Sequence, residues 1–584
     1  MFSNWRKTLF RLHGWIGINL GLLLFVICLS GTVAVFSNEI DWLLNDDLRA
    51  EATDEPIAWD EIEASIDETF PDGVNLGMYA PLEPGFAARA YVALPDGQTR
   101  KAYFHPKTGE LQGHTSFFNT QRFFRSFHRR FFDGDRGIVL VTLMAIPLLF
   151  SALSGLLYYK GWLKQLFTVR RDKGRRLFGS DLHKVAGIWG LLFTILIAAT
   201  GIFYFTEVVF TGTGNYQALH AEPLPNVPAE TLPDYGGRAT MLSAGVLADR
   251  ARAALPGLDV RGVRLPLGPT DAASVTGQMG NPITRDRANE VHVNPYTGAV
   301  LGVQRSSELG VVPFITDAAD PLHFGYFGSF WTKALWFVFG LMLSFSILTG
   351  AYVWVVRSEP SHRTAKADRE DGLSLRPFPW LRGAVVSVAL TLVYCGVVVS
   401  STIDGIQYYA PQNTGHVPVT SIANGDLRAD LLCTKPCDLQ DGSTMALRFE
   451  GKDMPNPKAV TLTTADGDTI SLNAYQQYHR GEVTTAPGTA MTLSLATWDA
   501  PPVQKQFEAP SPVPDDQMTT AAAWPEAAPG VWWVVGGFVL LTVSSIGTWL
   551  WGVWRAFQSS QSKMQRKRRR STTPRPDVKL PPTA

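Results

Sequence analysis

Four histidines have the type and spacing to do chemistry. His13 and His183 each stand at the entry to a long apolar block, and His128 and His323 each precede another. The surroundings repeat. Ser30-Gly31 and Thr200-Gly201 place a glycine 18 residues after His13 and His183, and Gly17 and Gly187 follow the same histidines by four. Ser154-Gly155 and Thr349-Gly350 place a glycine 27 residues after His128 and His323. A neutral imidazole is an iron ligand, and two of them on facing helices would fill both axial positions of a haem b with no covalent attachment. The sequence holds no Cys-x-x-Cys-His, the attachment motif of haem c. The plainer alternative is four interfacial side chains, tolerated among headgroups at helix ends. Two matched pairs weigh toward ligation, and toward two haems.

The elements that must position these side chains are membrane helices. The chain has 584 residues, 46% of them hydrophobic and 18% charged, and 52 Lys+Arg cancel 52 Asp+Glu. A nucleic-acid binder needs a basic surplus and a disordered scaffold needs low hydrophobicity, so both are excluded for the chain as a whole. Six blocks reach the roughly 20 apolar residues that a bilayer core demands. They lie at 14–37, 137–159, 184–208, 332–356, 382–403 and 530–554. The first is too long for the apolar part of a signal peptide and reads as a retained helix, so that residues 1–37 form one unit.

Short loops rich in Lys and Arg stay in the cytoplasm. Residues 160–183, 357–381 and the tail 555–584 qualify, as does the amino terminus with Arg6, Lys7 and Arg11. Both termini are then expected inside. The long segments 38–136, 209–331 and 404–529 are expected outside, in the periplasm if the membrane is a bacterial inner membrane. His13 and His183 would lie near the inner face, and His128 and His323 near the outer one.

Two outer segments also resemble each other. One reads as a short helix ending near Phe70-Pro71, then strands, then Pro106-Lys107-Thr108-Gly109; the other as a helix ending near Leu255-Pro256, then strands, then Pro295-Tyr296-Thr297-Gly298. Proline fixing φ and glycine supplying a positive φ suit a hairpin between apolar strands. Each half is thus helix, small α+β module, helix, which predicts a parallel duplication. The expected fold class is an α-helical polytopic membrane protein of six spans, with a duplicated core plus small α+β and β-rich outer domains.

The Leu-His-x-x-x-Gly entries to the first and third spans, Phe127-His128-Arg129-Arg130, Pro321-Leu322-His323 and the two Pro-x-Thr-Gly modules resemble the PepSY-associated transmembrane family. The resemblance covers roughly residues 1–360 and makes 38–136 and 209–331 PepSY-like domains. That family includes iron-regulated inner-membrane proteins and siderophore reductases. It implies haem-mediated electron transfer across the membrane, with His13, His128, His183 and His323 as the ligands, and reduction of a ferric chelate or ferric siderophore outside. Residues 382–584 exceed the family's four-helix core. No Gly-x-Gly-x-x-Gly follows a strand, so electrons are expected from a separate reductase or from membrane quinol. The alternative is a non-enzymatic membrane protein whose PepSY-like domains bind or regulate a periplasmic partner.

One difficulty is geometric. If His128 lies about ten residues beyond the outer apolar edge, a rise of about 1.5 Å per residue separates the two histidine levels by about 40–45 Å. Either the outer helices bend inward or further groups intervene.

Among the remaining residues, Cys433 and Cys437 enclose Thr434-Lys435-Pro436 in the outer segment 404–529. A local disulfide is expected there, with a redox-active dithiol as the sharper alternative. Cys28 and Cys395 read as packing residues within spans, and Glu207 and Asp404 as solvated groups at the outer ends of two of them, with assistance to a proton or a ferric ligand as the sharper alternative.

Overall fold

The structure, a computed structural model, describes most of residues 5–358 and 416–551. Outside the described residues lie 229–240, 359–392, 407–415, 513–524 and 552–584, with shorter stretches elsewhere. The expected span at 382–403, the basic segments 357–381 and 555–584, Cys395 and Asp404 fall wholly or largely there.

The chain begins with α1 (Trp5–Asn19), α2 (Gly21–Val35) and α3 (Ser37–Leu44), followed by α4 (Trp59–Thr69). Strands β1 (Val74–Tyr79), β2 (Ala88–Ala93), β3 (Thr99–Phe104) and β4 (Leu111–Ser116) lead into α5 (Thr120–Arg130), α6 (Gly134–Leu143) and α7 (Ala145–Tyr158). Then come α8 (Arg175–Trp189), α9 (Leu191–Gly212) and α10 (Ala244–Ala254). Strands β5 (Asp259–Arg264), β6 (Ala273–Gln278), β7 (Glu290–Val293) and β8 (Val300–Gln304) precede α11 (Val311–Phe324) and α12 (Ser329–Ser358).

Among the described residues, four helical stretches are long and apolar enough to cross a bilayer: Gly134–Tyr158, Leu191–Gly212, Tyr326–Trp354 and Val531–Thr548. Two helices, α1 and α2, add a fifth if they count as one span, bent by 67°. The protein is a multi-pass membrane protein with added β-sheet domains. The third expected span, 184–208, contains a helix break. Gly190 separates α8 from α9, so His183 sits seven residues before a break. His13 likewise sits seven residues before the break at Leu20.

One eight-stranded antiparallel sheet runs in the order β4-β3-β2-β1-β5-β6-β7-β8. Its two four-stranded meanders meet at β1 and β5, where Met78 pairs with Val263. One face alternates apolar residues, among them Met78, Ala90, Ala102, Val263 and Val275, and packs under α4 and α10 around Trp59, Ile62 and Leu247. Burying such a face is what holds a strand register. The hairpin glycines Gly109 and Gly298 both take positive φ, at 68° and 72°. The two helices are also tied end to side: Glu63 of α4 accepts from the Ala244 amide and Asp60 from the Gly245 amide, placing carboxylates at the amino terminus of α10.

The third domain packs the sheets β14-β15-β11-β10-β9 and β13-β12-β16-β17 over one core. These strands are β9 (His416–Asn424), β10 (Leu427–Thr434), β11 (Ser443–Glu450), β12 (Ala459–Thr464), β13 (Thr469–Ser471), β14 (Asn473–Tyr475), β15 (Tyr478–Val483), β16 (Ala490–Ala496) and β17 (Val503–Glu508). Cys433 and Cys437 are joined by a disulfide with Cα atoms 5.7 Å apart. Cys28 stays a free thiol within α2.

Two re-entrant turns decide where His128 and His323 fall. Helix α5 starts on the buried Asp41 of α3, whose carboxylate accepts from the Thr120 and Gln121 amides at 2.9 and 3.0 Å. It ends at Phe131 and Phe132, both with positive φ, before α6 turns back. A left-handed non-glycine residue costs roughly 1–2 kcal/mol. Buried aromatic packing holds the turn, with Phe131 against Phe127 and Phe127 against Phe538. Helix α11 ends similarly at Gly325, with φ 77°, where a Cβ would stand 2.6 Å from Trp336 Cγ. Both short helices therefore descend beside α2 and α9 before the next span begins.

Candidate functional site

The four histidines meet as two pairs. The first is His13 on α1 with His183 on α8, their ring centroids 6.1 Å apart. The second is His128 on α5 with His323 on α11, also at 6.1 Å. The second pair lies toward the eight-stranded sheet, since Arg285 of the β6–β7 connection lines the same cavity.

Each ring is fixed by the other helix of its own half. His13 Nδ1 lies 3.0 Å from the Ser151 carbonyl, and His183 Nδ1 lies 2.8 Å from the Ser346 carbonyl. His128 Nδ1 lies 2.9 Å from the Ile27 carbonyl. A carbonyl only accepts, so in all three Nδ1 carries the proton and Nε2 is the unprotonated nitrogen. His323 Nδ1 lies 2.7 Å from Thr200 Oγ1, whose own hydrogen points to the Leu196 or Ile197 carbonyl. The same tautomer follows.

Ser151, Ile27 and Ser346 each stand four residues before Gly155, Gly31 and Gly350. A Cβ on Gly31 would approach His128 Cε1 to 2.6 Å, one on Gly350 would approach His183 Cε1 to 3.1 Å, and one on Gly155 would meet His13 Cε1 at 3.6 Å. The glycines make room for the rings, and the residues around them orient the rings. The repeated Ser/Thr-Gly steps were legible in the sequence as shared register, but their role opposite the histidines was not. The equal separations of 18 and 27 residues were the available signal.

The descent of α5 and α11 settles the geometric difficulty. His13 and the Ile27 carbonyl that anchors His128 are 14 residues apart along α1 and α2, about 21 Å at about 1.5 Å per residue and less with the bend. The separation of about 40–45 Å expected from straight helices is thus corrected, because His128 dips beside α2 rather than standing above it.

The residues present fit haem. Two iron–nitrogen bonds of about 2 Å, with roughly 1.1 Å from each nitrogen to its ring centre, place two imidazole centres about 6 Å apart. Between α2, α5, α6, α9 and α12 the second pair opens on a cavity of about 230 Å³, walled by Leu24, Val141, Leu148, Phe193 and Leu343. Its polar end holds Arg125, Arg129, Arg285, Glu207 and Asp320. Asp320 accepts from Tyr204 at 2.7 Å and pairs with Arg285 at 3.1 Å, while Arg285 also pairs with Asp317 at 2.9 Å. Glu207, for which the sequence offers interfacial solvation or assistance at a site, is half-buried and lines this cavity. Among the described residues no group of three or more His, Cys, Asp or Glu could hold a metal ion, so the two-histidine arrangement is the one at hand.

Comparison with known proteins places the first 360 residues. An uncharacterized protein of Pseudomonas aeruginosa is 29% identical over 269 residues, which make up 41% of this chain and 65% of that relative. The chain thus spans just under two thirds of the relative it matches. The model of the PepSY-associated TM region matches residues 10–357, which include all four histidines and both meanders of the sheet, and the chain belongs to that family.

Proposed function

We propose that the chain is a b-haem membrane oxidoreductase of the bacterial inner membrane, passing electrons outward to a periplasmic ferric chelate or ferric siderophore in iron acquisition. The observation that carries this reading is the equal 6.1 Å separation within two histidine pairs whose Nδ1 atoms are already committed to neighbouring helices. Haem bound at each pair supplies one-electron transfer.

The protein's own part is positional. His13 and His183 would hold one haem toward the inner face through Nε2, and His128 and His323 would hold the other toward the outer face. Ser151, Ser346, Ile27 and Thr200 fix the tautomers, as outer partners of metal-bound histidines do elsewhere. Leu24, Val141 and Phe193 give the second pair an apolar wall. The like order of α4 with β1–β4 and α10 with β5–β8, and the matched helix breaks, support a parallel duplication within a six-span fold. The basic loops support cytoplasmic termini. Quinol or a separate reductase would be the donor.

Haem and iron assays on protein purified from haem-replete cells test the reading, with two of each per chain expected. None would reject it in favour of the second reading, a PepSY-domain protein that binds or regulates a periplasmic partner.

A further inference from the structure

The second cavity has a polar end that the histidines do not explain. On α5, His128 and Arg129 follow Arg125 by three and four residues, so both stand on the helix face of Arg125, and all three line one cavity. Arg285 also lines it but is engaged with Asp317 and Asp320. Arg125 and Arg129 are exposed, and among the described residues neither has a carboxylate within ion-pair distance. Their longer-range acidic neighbours are Asp320 for Arg125 and Glu207 for Arg129. The lining thus carries three arginines against two carboxylates, an excess of one positive charge at an otherwise apolar cavity.

We propose that Arg125 and Arg129 form a carboxylate clamp at the mouth of this cavity, and that the carboxylates they take are the two propionates of the haem. The inference rests on the haem reading above. A macrocycle centred between His128 and His323 has an apolar disc and one edge bearing both acids. Turning that edge toward Leu148 or Phe193 would bury carboxylates among apolar side chains, at several kcal/mol each. Turning it toward Arg125 and Arg129 gives each carboxylate a planar, two-pronged donor. Asp320 does not compete, because Arg285 and Tyr204 already occupy it. No second pair of unengaged arginines lines the cavity among the described residues.

The test uses the full-length haem-loaded protein with Arg125→Met, Arg129→Met, the double Met variant and the double Lys variant. Transfer of haem to apomyoglobin measures retention, and a redox titration measures each midpoint potential. Each Met change is expected to speed loss of the sheet-side haem about tenfold, the equivalent of about 1.4 kcal/mol. Its midpoint potential should fall, since a nearby cation favours the reduced state, while the other haem keeps its potential. The double Lys variant should restore much of the potential but less of the retention, because lysine supplies charge without the paired geometry. Unchanged retention and potential in the double Met variant would overturn the proposal. The same would hold if those two readouts stayed fixed while KM for a ferric chelate rose, since the arginines would then serve the acceptor. Wild-type protein free of haem would overturn both this inference and the reading beneath it.

Discussion

His128 lies against Gly31, its ring carbons so near that a Cβ on the glycine would stand 2.6 Å from Cε1, while its Nδ1 reaches the Ile27 carbonyl one turn earlier at 2.9 Å. Backbone on both sides therefore fixes the ring. Gly31→Ala should displace it at an overpacking cost of about 1–3 kcal/mol, and one haem should be lost or weakened while the other stays. Gly14→Ala, where nothing lies within 4 Å of the added carbon, is the matched control. Equal haem content in the two variants would contradict the role given to Gly31.

Single removal of a ligand tests the pairing itself. His183→Ala and His323→Ala are each expected to abolish one haem and leave the other, read as half of the wild-type absorbance. Loss of both haems from either change in a protein that still elutes as folded would point to a different ligation pattern.

Much of this site is legible in the sequence. The duplicated spacing selected the four histidines, because matched separations on helices bring matched side chains to equivalent levels. The hairpin glycines Gly109 and Gly298 and the apolar alternation of the strands located the sheet modules. What the sequence hid was the level of His128. The turn at Phe131 and Phe132 breaks the ordinary preference of bulky residues for negative φ, and it is held by backbone hydrogen bonds to Phe127 and Ser126 and by the packing of Phe127 and Phe538. Arg125, Tyr204 and Asp320 were hidden for a similar reason: no local pattern marks side chains that meet only after α5 and α11 descend.

Glu63 gives the sheet module a pH dependence. Burial pushes its carboxyl up to about 7, opposed by the hydrogen bond from the Ala244 amide and reinforced by Asp67 and Asp60. A carboxyl with a raised pKa binds more protons when folded than when unfolded, so stability falls as pH rises from about 4.5 to about 7. Glu63→Gln should remove that slope. Melting midpoints of both proteins between pH 4 and 8 would check it; parallel curves would exclude Glu63 as the source.

The disulfide between Cys433 and Cys437 closes a very short loop. Chain entropy then gives it about 2 kcal/mol. Replacing both cysteines with serine should lower the stability of the β9–β17 domain by about that amount and leave haem content and reduction rate unchanged. A collapse of electron transfer in the double serine variant would instead favour a dithiol relay.

The central claim is that the two histidine pairs each hold a haem b and so span the membrane with redox centres. A reduced-minus-oxidised absorption spectrum of the purified protein, followed through a redox titration, tests it most directly. The account predicts a b-type haem band that titrates as two one-electron components; a featureless difference spectrum from haem-replete material would contradict it.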